Sequence, residues 1–295
     1  MKQVVTLIAG PGANAALAEI PAAIAGELAL AKAPDWLAPG LACDLVLDSL
    51  DPATAEAAAR RAIGGRPIDV LVQPAENRRK RLLAADLEST IIENEMLDEL
   101  AEFVGLRTEV AAITLRAMNG ELDFAQALAA RVALLRGLPA SALDGAASRI
   151  RLMPGARELI ATMRASGGRM LLVSGGFSVF VEPIAAQLGF DRIVCNRLTV
   201  MNGRISGAVE PPIVTRDTKR EALIAFAAEC GIPLADTIAI GDGANDLPML
   251  DAAGLGVAFR AKPAVAGAAR WRLDHADLLG VLYAQGYRRD EIIAG

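Results

Sequence analysis

The chain has 295 residues, 53% of them hydrophobic, and a net charge of -5. That is more than one typical domain needs and enough apolar material for a large core. The acidic balance excludes a sequence-independent nucleic-acid binder working through a basic surface, and no uncharged apolar run reaches the ~20 residues of a membrane helix.

Taken in chain order, residues 3–9 read as a strand, "NAALAEIPAAIAGELALA" as a helix and "ACDLVLDS" as a second strand. "PATAEAAARRAIGG" reads as another helix, and "IDVLVQ" at 68–73 as a strand. The first apolar run mildly imitates a signal peptide, but Gly10, Pro11 and Gly12 break it, and strand, turn and helix is the preferred reading. These elements make a small α+β unit ending near Pro74. "ENRRKR", Glu76 to Arg81, follows as a charged link and reads as a solvated linker or helix end. Cys43, Cys195 and Cys230 show no metal-ligand spacing, which fits a reduced, cytoplasmic protein.

From Leu82 the pattern changes. "LLAADLESTII" is a buried strand running into Asp86 and Glu88. A helical block follows from about Glu95 to Ile150, with helical apolar spacing in "ENEMLDELAEFVG" and "DFAQALAARVALLRG". "RMLLVSGGF" is a strand entering a glycine turn, and "VFVEPIAAQLGF" is a helix. "RIVCNRLTVMNGRISGAV" is a strand with a hairpin at Asn202-Gly203. "DTKREALIAFAAECG" is helical, "TIAIGDGANDLPML" is strand, loop and helix, and "GLGVAF" is a last strand. Alternation of this kind predicts a mostly parallel sheet with helices on both faces.

Four polar points fall at strand ends or loops of this second region. They are Asp86 with Glu88, Ser174 in "LLVSGG", Lys219 in "DTKRE", and Asp242 with Asp246 in "IGDGAND". Each alone has an ordinary reading: a turn or helix cap for Ser174, a solvated helix-end charge for Lys219, a tight turn with capping acids for "GDGAND". Together they describe phosphoryl transfer. Asp86, Asp242 and Asp246 can gather oxygen ligands around one hard cation, and Mg²⁺ suits carboxylates, waters and substrate phosphate. Ser174 and backbone N–H groups at a helix start can hold phosphate oxygens. Lys219 can neutralise charge on the transferring group, and an aspartate can itself attack phosphorus.

From about Leu82 to Gly280 the chain resembles the haloacid dehalogenase superfamily and, within it, the phosphoserine phosphatase branch. The superfamily's Asp-x-Asp-x-Thr motif reads "DLEST" here; Ser174, Lys219 and "GDGAND" supply the other three motifs. "VSGGF", "IGDGANDLPML", "ENEMLDELA" and "GELDFAQALAARVALLRGLP" are wordings of that branch. The resemblance implies a Rossmann-like parallel core at residues 81–295 with a helical cap at about 94–150. The unit at 1–80 looks like a degenerate ACT-like (ferredoxin-like) domain, which allows a homodimer through it.

By the same resemblance Asp86 is the nucleophile. Asp86, Asp242, Asp246 and the main-chain carbonyl of Glu88 hold Mg²⁺. Ser174, Gly175 and Lys219 bind the phosphoryl group, with Asn245 also at the substrate. Glu95 and Arg131 match the cap residues that grip an amino acid, and a carboxylate and a guanidinium fork suit an α-ammonium and an α-carboxylate. On sequence alone Glu95 also reads as a helix N-terminal charge and Arg131 as a helix-surface charge. Met118 and Phe124 match apolar cap positions that close over the site; without the family both would be core residues. His275, the one histidine, reads as structural or capping.

Glu88 departs from the family, which has Asp there as general acid and then general base. The carboxyl group remains but reaches one methylene further. Misplacing a reacting group by ~1 Å can cost ~10²-fold. The expected activity is therefore Mg²⁺-dependent hydrolysis of O-phospho-L-serine in serine biosynthesis. The alternatives are a same-fold phosphatase for another small phosphomonoester, or a serine- or phosphoserine-binding regulator with catalysis blunted at Glu88.

Overall fold

The computed structural model describes residues 2–30, 32–48, 50–118 and 121–295, without the side chains of Ala117 and Met118. The N-terminal unit contains β1 (Gln3–Ala9), α1 (Asn14–Glu27), β2 (Asp35–Ala38), β3 (Ala42–Leu47), α2 (Pro52–Ile63) and β4 (Ile68–Pro74). Its four strands form an antiparallel sheet in the order β2-β3-β1-β4. The start of α2 shows why the chain turns there. Asp51 accepts a 3.0 Å hydrogen bond from the Thr54 N–H, Pro52 needs no partner in the first turn, and Gly64 ends the helix in the left-handed region. One face of the sheet packs Val5, Leu7 and Ala9 against Leu17, Ile20 and Ile24 of α1 and Ala55, Ala59 and Ile63 of α2. The opposite face gives Ile8, Ala42 and Leu71 to the core of the rest of the protein. A sheet covered on both faces explains strands that are buried on both sides and mostly apolar, with Thr6, Asp44, Asp69 and Gln73 as buried polar residues.

The second unit begins with β5 (Leu82–Ala85). An insertion follows, made of α3 (Met96–Phe103), α4 (Arg107–Met118), α5 (Phe124–Ala133) and α6 (Ser141–Ala147). The chain returns through α7 (Ala156–Ala165), β6 (Arg169–Phe177), α8 (Ser178–Leu188), β7 (Arg192–Met201), β8 (Arg204–Glu210) and α9 (Arg216–Glu229). It ends with β9 (Thr237–Gly241), α10 (Leu247–Ala252), β10 (Leu255–Phe259), α11 (Pro263–Ala268), β11 (Trp271–Leu273) and α12 (Leu279–Ala284). The seven strands lie in the order β11-β10-β9-β5-β6-β7-β8, parallel except for the β7–β8 hairpin. That hairpin turns at Asn202 and Gly203, both with positive φ, the conformation an Asn-Gly pair favours between two strands.

All four residues of β5 are buried, and their side chains alternate between the two layers. Leu82 and Ala84 pack toward Leu223 and Phe226 of α9, Met249 of α10 and Val265 of α11. Leu83 and Ala85 pack toward Leu159 of α7, Val181 of α8 and Val281 of α12. The strands β9, β5 and β6 are neighbours, so residues leaving their carboxyl ends converge. In a parallel sheet that is where ligands bind.

The charged link is solvated only in part: Glu76, Asn77, Arg79 and Arg81 are exposed, but Arg78 and Lys80 are engaged at the junction. Arg78 is largely buried and bonds the Asp44 carboxylate, the Thr6 hydroxyl and the carbonyls of Tyr283 and Ala284. The Lys80 N–H donates to Gln285. Further bonds cross the same junction: Gln73 to the Ala284 carbonyl at 2.6 Å, Trp271 Nε1 to the Val72 carbonyl at 2.8 Å, and backbone N–H groups of Asp274, His275 and Ala276 to Asp69. Five elements had no sequence reading: β2, α7, α11, β11 and α12. Among the described residues no helix is long and apolar enough to cross a membrane.

Candidate active site

Asp86 follows β5 directly, and its backbone N–H donates to the Ile240 carbonyl of β9 at 3.0 Å. Asp242 follows β9, and Asp246 lies four residues on, at the start of α10. Lys219 comes from the first turns of α9, whose start is fixed by a capping box between Thr215 and Thr218. It belongs to the buried stripe Lys219, Leu223, Phe226, Ala227 and is 1% exposed, so the solvated reading of this lysine is corrected. Its ammonium lies 2.8 Å from Asp86 Oδ1 and 2.7 Å from Asp246 Oδ1. The other oxygen of Asp246 accepts from the Gly243 N–H at 3.0 Å. Any side chain at position 241 would collide with the Asp246 carboxyl, which is why a glycine precedes Asp242.

Charge in this layer is unbalanced. Burial raises the Asp86 carboxyl to about 7 against the attraction of Lys219, and Asp246 and Asp242 push the same way. Burial alone would lower Lys219, but Asp86 and Asp246 outweigh it and hold the ammonium charged, above its ordinary value. Burial also raises Asp242. One buried ammonium faces three carboxylates, each offering an oxygen within 4.8 Å of the others. An all-oxygen donor set with excess negative charge fits a hard divalent cation. A second cluster, Asp69 with Asp274 and His275, meets the same spacing. The Asp69 oxygens there are taken by the three backbone N–H groups across the junction, and His275 lies among them as a structural residue.

Ser174 lies near the end of β6 and is fully buried; its Oγ accepts from the Gly176 N–H at 2.9 Å. Gly175 opens onto a cleft of about 530 Å³ that it shares with Asp86, Glu88, Glu95, Phe124, Arg131, Asp242 and Asn245. Ser174, Lys219 and Asp246 are buried and lie outside that lining. A side chain at Gly176 would press on Ser174 Oγ at 3.1 Å and on Glu88 Oε1 at 3.2 Å, so glycine admits both groups.

Glu88 reaches toward the cap. Its Oε1 accepts from the Met96 N–H at 2.9 Å, at the first residue of α3. The added methylene is therefore used: the carboxylate satisfies one of the unpaired N–H groups of the helix start. Burial raises Glu88 to about 8, and the charges of Glu95 and Asp86 add to this.

The cap supplies the opposite wall. Glu95 is exposed and accepts from the Ser89 hydroxyl at 2.9 Å. Arg131 is half-buried, and its Nε donates to the Ala127 carbonyl one turn earlier at 3.3 Å. Phe124 is 43% exposed, so its core reading is corrected; its ring reaches van der Waals distance of the space beside Gly175. The Met118 side chain lies outside the described residues. Two neighbours of the site escaped the sequence reading. Lys262 Nζ stands 3.4 Å from Asp242 Oδ2 and 4.0 Å from Glu95 Oε1. Ser89 holds Glu95 from a left-handed backbone position. The only signal for Lys262 was a basic residue just before the Pro263 helix start; for Ser89 it was its place inside "DLEST".

The sequence pattern of the haloacid dehalogenase-like hydrolases matches residues 83–251. The chain is 48% identical over 217 residues to phosphoserine phosphatase SerB2 of Mycobacterium tuberculosis; the match covers 74% of this chain and 53% of that protein, so the chain spans about half the length of that relative. It is 45% identical over 203 residues to the phosphoserine phosphatase of Lactococcus lactis, covering 69% of this chain and 94% of that one. A solved hydrolase of the haloacid dehalogenase family from Salmonella enterica serovar Typhi superposes with a TM-score of 0.85 at 26% identity over 99% of both chains. This chain belongs to the haloacid dehalogenase-like hydrolases, in the family of the phosphoserine phosphatases.

Proposed function

We propose that the protein is a Mg²⁺-dependent phosphomonoesterase that hydrolyses O-phospho-L-serine to L-serine and phosphate. The observation that carries this reading is the buried group of Asp86, Asp242, Asp246 and Lys219 under a cleft whose cap wall holds Glu95 and Arg131. Mg²⁺, held by Asp86, Asp242, Asp246 and the Glu88 main-chain carbonyl, would offset negative charge on the transferring phosphoryl group. In this reading an Asp86 oxygen attacks phosphorus, the P–O bond to the serine oxygen breaks, and Glu88 gives that oxygen its proton. An aspartyl-phosphate results. Glu88 then takes a proton from water as the water attacks phosphorus. The bond between Asp86 and phosphorus breaks, and inorganic phosphate leaves with Asp86 restored.

Ser174, Gly175 and Lys219 hold the phosphoryl oxygens through both steps, and Asn245 stands at the rim. Glu95 pairs with the substrate's ammonium and Arg131 with its carboxylate, while Phe124 covers the apolar side. Residues 1–80 are read as a ferredoxin-like, ACT-type domain, supported by the β2-β3-β1-β4 order that a βαββαβ chain adopts in such a sheet. Residues 81–295 are read as the phosphatase domain with its cap at about 94–150, in a cytoplasmic protein able to pair through its N-terminal sheet.

Phosphate release from a panel of phosphomonoesters, with Mg²⁺ and with a chelator, tests the reading. O-phospho-L-serine should lead the panel and the chelator should abolish release. A preference for an ester lacking an amino acid would favour the same-fold alternative. Tight serine or phosphoserine binding without release would favour the regulator.

A further inference from the structure

The register between β6 and β7 breaks at the phosphate-facing loop. Val173 pairs with Val194, and the next pair is Phe177 with Asn196, so β6 carries two extra residues over this stretch. Ser174, Gly175 and Gly176 lie in the bulge, where the regular ladder no longer serves them. Asn196 is 1% exposed and faces this gap. Its Nδ2 donates to the Gly175 carbonyl at 2.7 Å, and its Oδ1 accepts from the Val214 N–H at 2.8 Å. One partner is an acceptor and the other a donor, so only one orientation of the amide serves both.

The two bonds connect the proposed phosphoryl-holding groups. In a trans peptide unit the C=O and N–H point in opposite directions. The unit whose carbonyl is held by Asn196 has as its N–H that of Gly176, which donates to Ser174 Oγ at 2.9 Å. Ser174 is thereby fixed as an acceptor from its own loop, and its single hydroxyl hydrogen is left for another partner. On the other side, Val214 precedes Thr215, the cap of α9, and the Lys219 N–H bonds the Thr215 carbonyl at 3.1 Å. We propose that Asn196 is a positioning residue that locks the Ser174–Gly176 loop to the start of α9, so that the Ser174 hydroxyl and the Lys219 ammonium meet one phosphoryl group in fixed register. This rests on the phosphatase reading above and adds a residue to it.

Asn196→Leu keeps similar bulk and removes both bonds. Its kcat/KM for O-phospho-L-serine should fall about 10²-fold, the scale of a ~1 Å misplacement. A general loosening of the fold would weaken both products alike, whereas the proposal separates them. Inhibition by inorganic phosphate should weaken at least about 10-fold, while inhibition by L-serine, held on the cap, should stay within about twofold. Asn196→Ser, smaller and too short to span both partners, should show the same split and serves if the leucine variant does not fold. In the Ser174→Ala background, Asn196→Leu should cost much less than it does alone, because the two act through one loop. Losses that multiply independently, equal weakening of phosphate and serine, or a variant within about twofold of wild type would overturn the role of Asn196. Wild-type protein that released no phosphate would overturn the phosphatase reading and the inference with it.

Discussion

Ser174, Lys219 and Asp246 in the core are at most 1% exposed; Lys219 and Asp246 hold each other across segments and Ser174 is fixed by its own loop, whereas Glu95 and Phe124 in the cap stand in solvent and Arg131, among the described residues, bonds its own helix. Lys219 and Asp246 cannot change partners without leaving a charge buried and unpaired, which is costly. The cap groups can, since an exposed ion pair contributes only ~0–1 kcal/mol. In the proposed function, bond making and breaking fall to this buried floor and substrate selection to the exposed roof. Glu88 joins the two: it leaves the floor two residues after Asp86 and ends on the first N–H of the cap helix α3.

The largest effect should come from the floor. In the proposed mechanism Asp86→Asn replaces the attacking carboxylate with a neutral amide and should lower phosphate release by more than about 10⁴-fold, as for other essential catalytic groups. Its unfolding midpoint should stay near that of wild type, since the swap is isosteric. Next is the joint. Glu88→Gln should cost roughly 10²–10⁴-fold in turnover and slow breakdown of the phosphoenzyme as well as its formation. Glu88→Asp restores the family residue but shortens the reach to Met96. It should be slower than wild type, and a faster aspartate variant would mark Glu88 as a lesion. The roof should respond selectively. Arg131→Ala should lower kcat/KM for phosphoserine by about 10–10²-fold, the scale of a lost charged hydrogen bond, and leave a phosphomonoester without a carboxylate almost untouched. Equal losses on both substrates would erase the division between floor and roof. The smallest change belongs to Lys262→Met. Its pairings with Asp242 and Glu95 are long and its side chain is 66% exposed, so turnover should shift no more than about fivefold.

The sheet and most of the floor were legible because their signals are local. "LLAAD" and "TIAIGD" are apolar runs ending in an acid, and Asn202-Gly203 names its own turn. Lys219 was legible as a motif residue but not as a buried one. Its helix carries few large apolar residues, and burial there is set by two aspartates distant in sequence. Arg78 was read as linker because its neighbours are charged; its partners Thr6 and Asp44 come from strands whose pairing no local pattern reveals. The elements β2, β11 and α12 have four, three and six residues, too few for a period to show. The longer α7 has a well-formed buried face and went unread beside the "RMLLV" strand. Lys262 and Asn196 lie in ordinary local contexts, and only the folded chain brings them to the cleft and its bulge.

The division of labour rests on Asp86 as the proposed nucleophile. Acid-quenching the protein during turnover of O-phospho-L-serine with Mg²⁺, and mapping the phosphoryl group by peptide mass, tests this directly. The phosphoryl group should sit on Asp86, accumulate further in Glu88→Gln if breakdown is slowed more than formation, and be absent from Asp86→Asn. Sustained phosphate release by Asp86→Asn with no phosphorylated peptide in any variant would contradict the account.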